Sequence, residues 1–325
     1  MSNLNGPRCR PGLPLTVVLG AGHWHLPLYR DAWAKHHQII GAWDSDADAA
    51  NRAAAELGTT AHDTVADCLA DKPDLAYVLG VHAEMPDICR KLITAHIPFV
   101  LEKPGAAAVT DLAAVGDEAD AAGVPATVAL VQRYGPLPDL FGRIGDLRHA
   151  RFSFVAGPPS RYIDAGCSWV LDRSLSGGGC LYLLGVHFTD MLRHLTGQQI
   201  TEARSVRQYP EGADTEDYGV LTLETADGTT ATVEIGWTFP VAPVKRYVNY
   251  TAVGAGGHLA VDTSGGVELS APGQNPVHET VDVDSDALYP IFVAEVAANY
   301  DDGFAGMPTL TDLVEAMRPI EESYG

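Results

Sequence analysis

The feature that most constrains this chain is a glycine turn at the end of its first apolar run. Leu15-Thr16-Val17-Val18-Leu19 leads directly into Gly20-Ala21-Gly22, and a helical stretch follows over roughly 25–36. A continuously apolar strand needs cover on both faces, and strand–turn–helix order makes βαβ units with right-handed crossovers and a parallel sheet. The alternation repeats up to residue 132. Further strands are expected at 38–44, 75–80, 98–104 and 125–132. Helices are expected at 46–58, closed by Gly58, at 86–97, and at 110–123 with Thr110 or Asp111 as the cap. Beyond residue 133 the pattern changes to period 2, over 150–157, 219–239 and 247–263, with Ala226-Asp227-Gly228 and Gly254-Ala255-Gly256-Gly257 as turns. That is the pattern of antiparallel hairpins. One helical segment, 177–197, interrupts it, and two helices close the chain.

Charge narrows the partners. Lys and Arg number 21 against 42 Asp and Glu, a formal net charge of −21. Such a surface repels phosphate backbones and anionic lipid, so neither nucleic acid nor membrane is an expected partner. A dinucleotide is still allowed, because backbone N–H groups at a helix start hold it. No apolar run reaches the roughly 18 residues of a membrane span, and the first fourteen residues lack the apolar core of a signal peptide. Five cysteines (Cys9, Cys68, Cys89, Cys167, Cys180) are an odd number without a CxxC pair. The expectation is a reducing cytoplasm, no disulfide framework and no zinc cluster.

The glycine turn has the form of a dinucleotide loop. Gly20 permits the tight turn and Gly22 keeps a side chain away from the pyrophosphate; His23 and Trp24 complete the loop. The third glycine of GxGxxG is replaced by His25, which predicts a helix standing slightly off its strand. Asp44 ends the second strand 22 residues after Gly22, placed to accept the adenosine ribose hydroxyls. Asp46 and Asp48 reinforce its negative charge and Arg52 is the one nearby cation, which favours NAD over NADP. Glu102-Lys103-Pro104 falls at the carboxyl end of another parallel strand, where open α/β sheets bind ligands. Proline there predicts a rigid, cis-compatible peptide that fixes the lysine's direction.

These motifs come in one order with Gly142–Phe152 (GRIGDLRHARF) and 177–192 (GGGCLYLLGVHFTDML). Together they resemble the glucose–fructose oxidoreductase / inositol dehydrogenase (Gfo/Idh/MocA) family, from residue 15 to the closing 307–323. The resemblance implies an α/β fold: an N-terminal Rossmann dinucleotide-binding domain over 13–132, and a C-terminal α+β domain over 133–325 with a large, mostly antiparallel open sheet. It also implies a nicotinamide cofactor, a sugar or polyol as small-molecule substrate, and a homodimer or homotetramer packed through the open sheet. By the same resemblance Lys103 stabilises charge on the reacting oxygen and His187 is the general acid/base. Gly80, Val81 and His82, with Glu102, Lys103 and Pro104, cover the nicotinamide side. The implied function is hydride transfer between nicotinamide and a hydroxyl or carbonyl carbon. A lyase or glycosidase using transient oxidation, or a non-catalytic NAD-binding regulator, is the alternative.

The sequence departs from the family in two places. Members often carry aspartate four residues before the histidine, where this chain has Leu183; Asp190 is a partial substitute at i+3. The loop at 79–85 has Val81, His82, Glu84 and Met85 where the family often has Thr-Pro and a later histidine. Tyr162, Asp164 and Trp169 complete the weaker substrate-site candidates with Asp190, and Trp169 is open between core and crevice. His23, His25, His36, His37, His187 and His194 do not make a metal site by spacing, so none is expected.

Overall fold

The computed structural model describes residues 12–240 and 245–325, so Cys9 and the start of the chain lie outside the described residues. Six parallel strands form the first sheet: β1 (Leu15–Leu19), β2 (Gln38–Trp43), β3 (Thr60–Ala61), β4 (Leu75–Val78), β5 (Phe99–Leu101) and β6 (Ala126–Val128). Their order is β3-β2-β1-β4-β5-β6, so the direction of winding reverses between β1 and β4. That reversal opens a crevice at the carboxyl ends of those strands. Val17, Val18, Leu19, Leu75, Ala76, Val78, Phe99 and Leu101 are fully buried, as expected of strands covered on both faces.

Helices Leu26–His36, Ala47–Leu57, Val65–Ala70, Met85–Thr94 and Val109–Ala122 flank this sheet. Gly58 closes the second with φ +67°. The cap expected at Thr110 or Asp111 is not used. The helix begins after Ala108, which lacks a capping side chain, and Glu321 from the last helix accepts the Val109 N–H instead, at 2.8 Å. A distant carboxylate has replaced a local cap.

The second sheet has eight strands: β7 (Leu147–Ala156), β8 (Ile200–Gln208), β9 (Tyr218–Thr225), β10 (Thr230–Gly236), β11 (Arg246–Gly254), β12 (Gly257–Val261), β13 (Gly266–Ser270) and β14 (Val277–Thr280). The order is β14-β13-β12-β11-β7-β10-β9-β8, antiparallel throughout except for the parallel β7–β10 pair. Alternation leaves Ala150, Phe152, Phe154, Val248 and Tyr250 on the inner face, where Phe188 of helix Val186–Thr196 packs against Phe152, Phe154 and Tyr250. Each such aromatic contributes roughly 1.5–3 kcal/mol by burial.

Helix Val186–Thr196 is preceded by a π-helical turn, Leu181–Gly185. Buried Glu216 organises its start: the carboxylate accepts the Gly179 N–H (2.9 Å), the Leu181 N–H (3.0 Å) and the Tyr324 O–H (2.6 Å). A Cβ on Gly179 would stand 2.0 Å from the Glu216 carbonyl oxygen, so the glycine there is a packing requirement. Arg133, just after β6, donates to both oxygens of Asp190 (2.9 and 2.5 Å) and lies 3.3 Å from Asp312, locking the junction between the sheets.

Candidate active site

The glycine loop is held by its own hydrogen bonds. Gly20 and Ala21 N–H both donate to the Trp43 carbonyl (2.8 and 2.9 Å), and the Gly22 N–H donates to Asp44 at 2.8 Å. Gly20 has φ +76°, and a Cβ on it would lie 2.3 Å from the Leu79 carbonyl oxygen; one on Gly22 would lie 2.7 Å from the Ala49 Cβ. Gly80, with φ +93°, lies against Gly20. The two glycine turns are therefore packed backbone to backbone. Asp44 also accepts the Asp46 N–H at 2.9 Å; burial raises its pKa, opposed by these bonds.

Three buried imidazoles near this loop each have an unpartnered ring nitrogen: His23 Nε2, His82 Nε2 and His187 Nδ1. Their partners on the other side identify the first two. His23 Nδ1 accepts the His25 N–H (3.2 Å), which leaves its Nε2–H as a buried donor. His82 Nδ1 donates to the Ser176 carbonyl (2.8 Å), which leaves its Nε2 as a buried acceptor. A donor suits a phosphate oxygen and an acceptor suits a ribose hydroxyl or carboxamide N–H, so both orphans fit a nicotinamide dinucleotide. Trp24 stacks on His23 at 3.7 Å, and Trp169 lies 5.5 Å from Trp24 and 4.8 Å from His82. The Cys167 thiol donates to the Gly22 carbonyl at 3.2 Å, so the segment after β7 lies on the nucleotide loop.

Lys103 and His187 meet in a cavity of about 520 Å³ between the sheets. Trp24, His25, Tyr162, Asp164, Arg161 and Tyr289 also line it. Lys103 is 2% exposed, and its Nζ donates to the Leu183 carbonyl at 2.9 Å. Burial lowers its pKa to about 8, with Glu102 opposing and Arg161 adding to the fall. The Lys103–Pro104 peptide is cis. Burial pushes the His187 pKa well below its ordinary value, and Lys103, His25 and Arg246 push it further.

Two candidates lie elsewhere. Asp190 is 1% exposed and paired with Arg133 rather than with His187 or the cavity. Trp169 packs over the nucleotide loop and is not among the cavity's lining residues. Leu183 is buried and contributes a backbone carbonyl, not a carboxylate, to the site. Sequence reasoning missed His25 as a cavity residue. Its Nδ1 is 3.3 Å from Glu102 and 3.1 Å from the Tyr289 hydroxyl, and Glu102 accepts the Tyr29 O–H at 2.6 Å. The departure from glycine at position 25 was the available signal; Tyr289, on a helix near the chain's end, carried none. Among the described residues no group of three or more His, Cys, Asp or Glu is placed to hold a metal ion, and no helix is long and apolar enough to cross a membrane.

Residues 15–130 match the model of an oxidoreductase family with an NAD-binding Rossmann fold, and residues 141–260 match that of the GFO/IDH/MocA C-terminal domain. A myo-inositol dehydrogenase, Hyg17, of Streptomyces leeuwenhoekii is 27% identical over 272 residues, 79% of this chain and 78% of its own. A putative UDP-kanosamine synthase oxidoreductase subunit of Amycolatopsis mediterranei (strain S699) is 28% identical over 179 residues, 53% of this chain and about half (48%) of its own length. Among solved structures, levoglucosan dehydrogenase in complex with NADH and levoglucosan superposes with a TM-score of 0.81 at 18% identity, covering 95% of this chain and 96% of that one. GenD2 from gentamicin A biosynthesis, in complex with NAD, gives 0.80 at 19% identity, covering 97% and 95%. At these identities the structures speak for the fold.

Proposed function

We propose that this chain, which belongs to the GFO/IDH/MocA family of NAD-binding oxidoreductases, interconverts a hydroxyl and a carbonyl on a sugar, a polyol or a related small molecule, with NAD preferred to NADP. The observation that carries the reading is the meeting of Lys103 and His187 in one cavity beside the glycine loop. A bound nicotinamide supplies the hydride acceptor or donor. Gly20, Gly22 and His23 face the pyrophosphate in this reading, Asp44 the adenosine ribose, and Gly80, Val81 and His82 the nicotinamide ribose. The Lys103 ammonium, aimed by its bond to the Leu183 carbonyl, donates to the substrate oxygen and stabilises negative charge as it develops there. A crevice imidazole takes the hydroxyl proton; the family resemblance assigns that role to His187. Tyr162 and Asp164, from the same wall, contact the substrate.

Asp44, Asp46 and Asp48 oppose a 2′-phosphate, which supports NAD. The outward face of the second sheet exposes Val206, Tyr247 and Val253, which supports packing against a second copy. The reading is tested by titrating the protein with NADH and NADPH, following tryptophan quenching and energy transfer from Trp24 and Trp169. Micromolar NADH affinity with NADPH at least tenfold weaker is the expected result. A folded, nucleotide-free protein that binds neither overturns the reading.

A further inference from the structure

We propose that His25 is a catalytic residue of this site, the imidazole that receives the substrate's hydroxyl proton, and that Glu102 is its positioning residue. The inference rests on the oxidoreductase reading above. It begins from two substitutions that the structure brings together: a histidine where the nucleotide loop would carry its third glycine, and a leucine where an aspartate would orient His187.

His187 lacks the partner that a working base needs. Its Nδ1 is buried with no hydrogen bond, and the charged groups acting on it are the cations Lys103 and Arg246, with His25 beside them. Asp190, three residues further on, is taken by Arg133. Any proton placed on His187 therefore adds a charge among cations with no carboxylate in contact.

His25 has what His187 lacks. Its Nδ1 is 3.3 Å from the Glu102 carboxylate and 3.1 Å from the Tyr289 hydroxyl, and the residue lines the same cavity as Lys103. Glu102 is itself fixed, accepting the Tyr29 O–H at 2.6 Å and the Lys103 N–H at 3.1 Å. Burial raises the Glu102 pKa, and the Lys103 ammonium and the two donors oppose that rise; the ionised carboxylate, with the Tyr289 hydroxyl oxygen as a second acceptor, favours the imidazole proton on Nδ1. The Nε2 lone pair is then the free acceptor. Burial lowers the His25 pKa well below its ordinary value, as it does for His187; Lys103, Arg161 and His82 add to the fall and Asp286 opposes it, so the contrast between the two rings lies in their contacts. The carboxylate–imidazole pair absent from the second half of the chain is rebuilt in the first.

The chemistry balances as an alcohol oxidation. The C–H pair leaves as hydride to NAD⁺, the O–H bonding pair becomes the second carbon–oxygen bond, and the proton goes to His25 Nε2. The imidazolium so formed is held against Glu102. Reduction of a carbonyl returns both.

The test reads the tautomers directly. In the full chain labelled with ¹⁵N-histidine and saturated with NAD⁺, the resonance absent from His25→Gln is expected to show a protonated Nδ1 and a bare Nε2. Glu102→Gln is expected to shift it toward the Nε2–H form. A wild-type His25 already protonated on Nε2, or one unmoved by Glu102→Gln, overturns the proposal. For activity, myo-inositol, D-glucose and levoglucosan serve as probes. On any that turns over, His25→Gln is expected to lose at least a hundredfold in turnover, with NADH affinity kept within threefold, and to lose more than His187→Gln. The opposite ranking also overturns it. Absence of NADH binding by the wild type would instead remove the oxidoreductase reading, whatever the tautomer result.

Discussion

The Lys103 ammonium and the Leu183 backbone carbonyl are joined by a 2.9 Å hydrogen bond across the interface of the two sheets. The carbonyl belongs to the π-helical turn Leu181–Gly185. Such turns free carbonyls that an α-helix would use internally, and they recur at functional sites. A position that lacks a carboxylate side chain has thus kept a main-chain means of aiming the lysine.

Lys103→Met separates the two things this lysine does. Turnover is expected to fall by about a hundredfold or more, since one preorganised donor at the reacting oxygen is worth that much, while NADH affinity stays close to wild type. Steady-state kinetics and a fluorescence titration on one preparation check both.

The same variant is expected to be more stable at neutral pH. Folding moves the Lys103 pKa from 10.5 to about 8, which corresponds to ~3 kcal/mol of destabilisation while the group is charged in both states. Between about 8 and 10.5 the unfolded chain keeps the proton that the folded one has released, so the wild type gains stability as pH rises there. Melting curves should show Lys103→Met ahead at pH 7 and the gap closing by pH 10.5. A gap that does not change with pH contradicts this.

Asp44→Ala is expected to weaken NADH by about tenfold, about 1.4 kcal/mol, and to weaken NADPH much less. The carboxylate bonds the Gly22 N–H, so its removal loosens the loop as well as the ribose site. Parallel titrations of the two coenzymes read the ratio.

Arg133→Met leaves Asp190 buried without its cation. A loss of roughly 3–5 kcal/mol is expected at neutral pH, read by urea unfolding, and Asp190→Asn in the same background should recover part of it. No recovery would mean that Arg133 acts through Asp312 instead.

Gly20→Ala is expected to cost roughly 1–3 kcal/mol from its positive φ alone, and more from the clash with the Leu79 carbonyl. Gly58→Ala carries the same backbone cost in open space, so thermal melts of the two separate strain from packing.

Much of the first sheet was legible because apolar strands, helix-ending glycines and the loop at Gly20–Gly22 are local signals. Strand β3 was not, since two residues at a sheet edge leave no periodicity to read. The cap of helix Val109–Ala122 was misread because Glu321 supplies it from more than two hundred residues away. The site divides in the same way. Lys103 and His187 could be named from motifs, and Asp44 from its spacing. Asp190 was drawn toward His187 by helical spacing, but the decisive contact is with Arg133, which sequence separation hides. In the sequence His25 stands out as a missing glycine and as half of a His-x-His pair, and neither signal points to Glu102 and Tyr289, which the fold brings to it.

The thiol of Cys167 on the Gly22 carbonyl, with Trp169 beside His82, means that chain from the second sheet rests on the loop of the first. A change in how that segment lies would be felt at the glycine turn through the Gly22 carbonyl and at Gly80–His82 through the Trp169 ring. The nucleotide loop and one wall of the crevice are therefore braced by the same few residues.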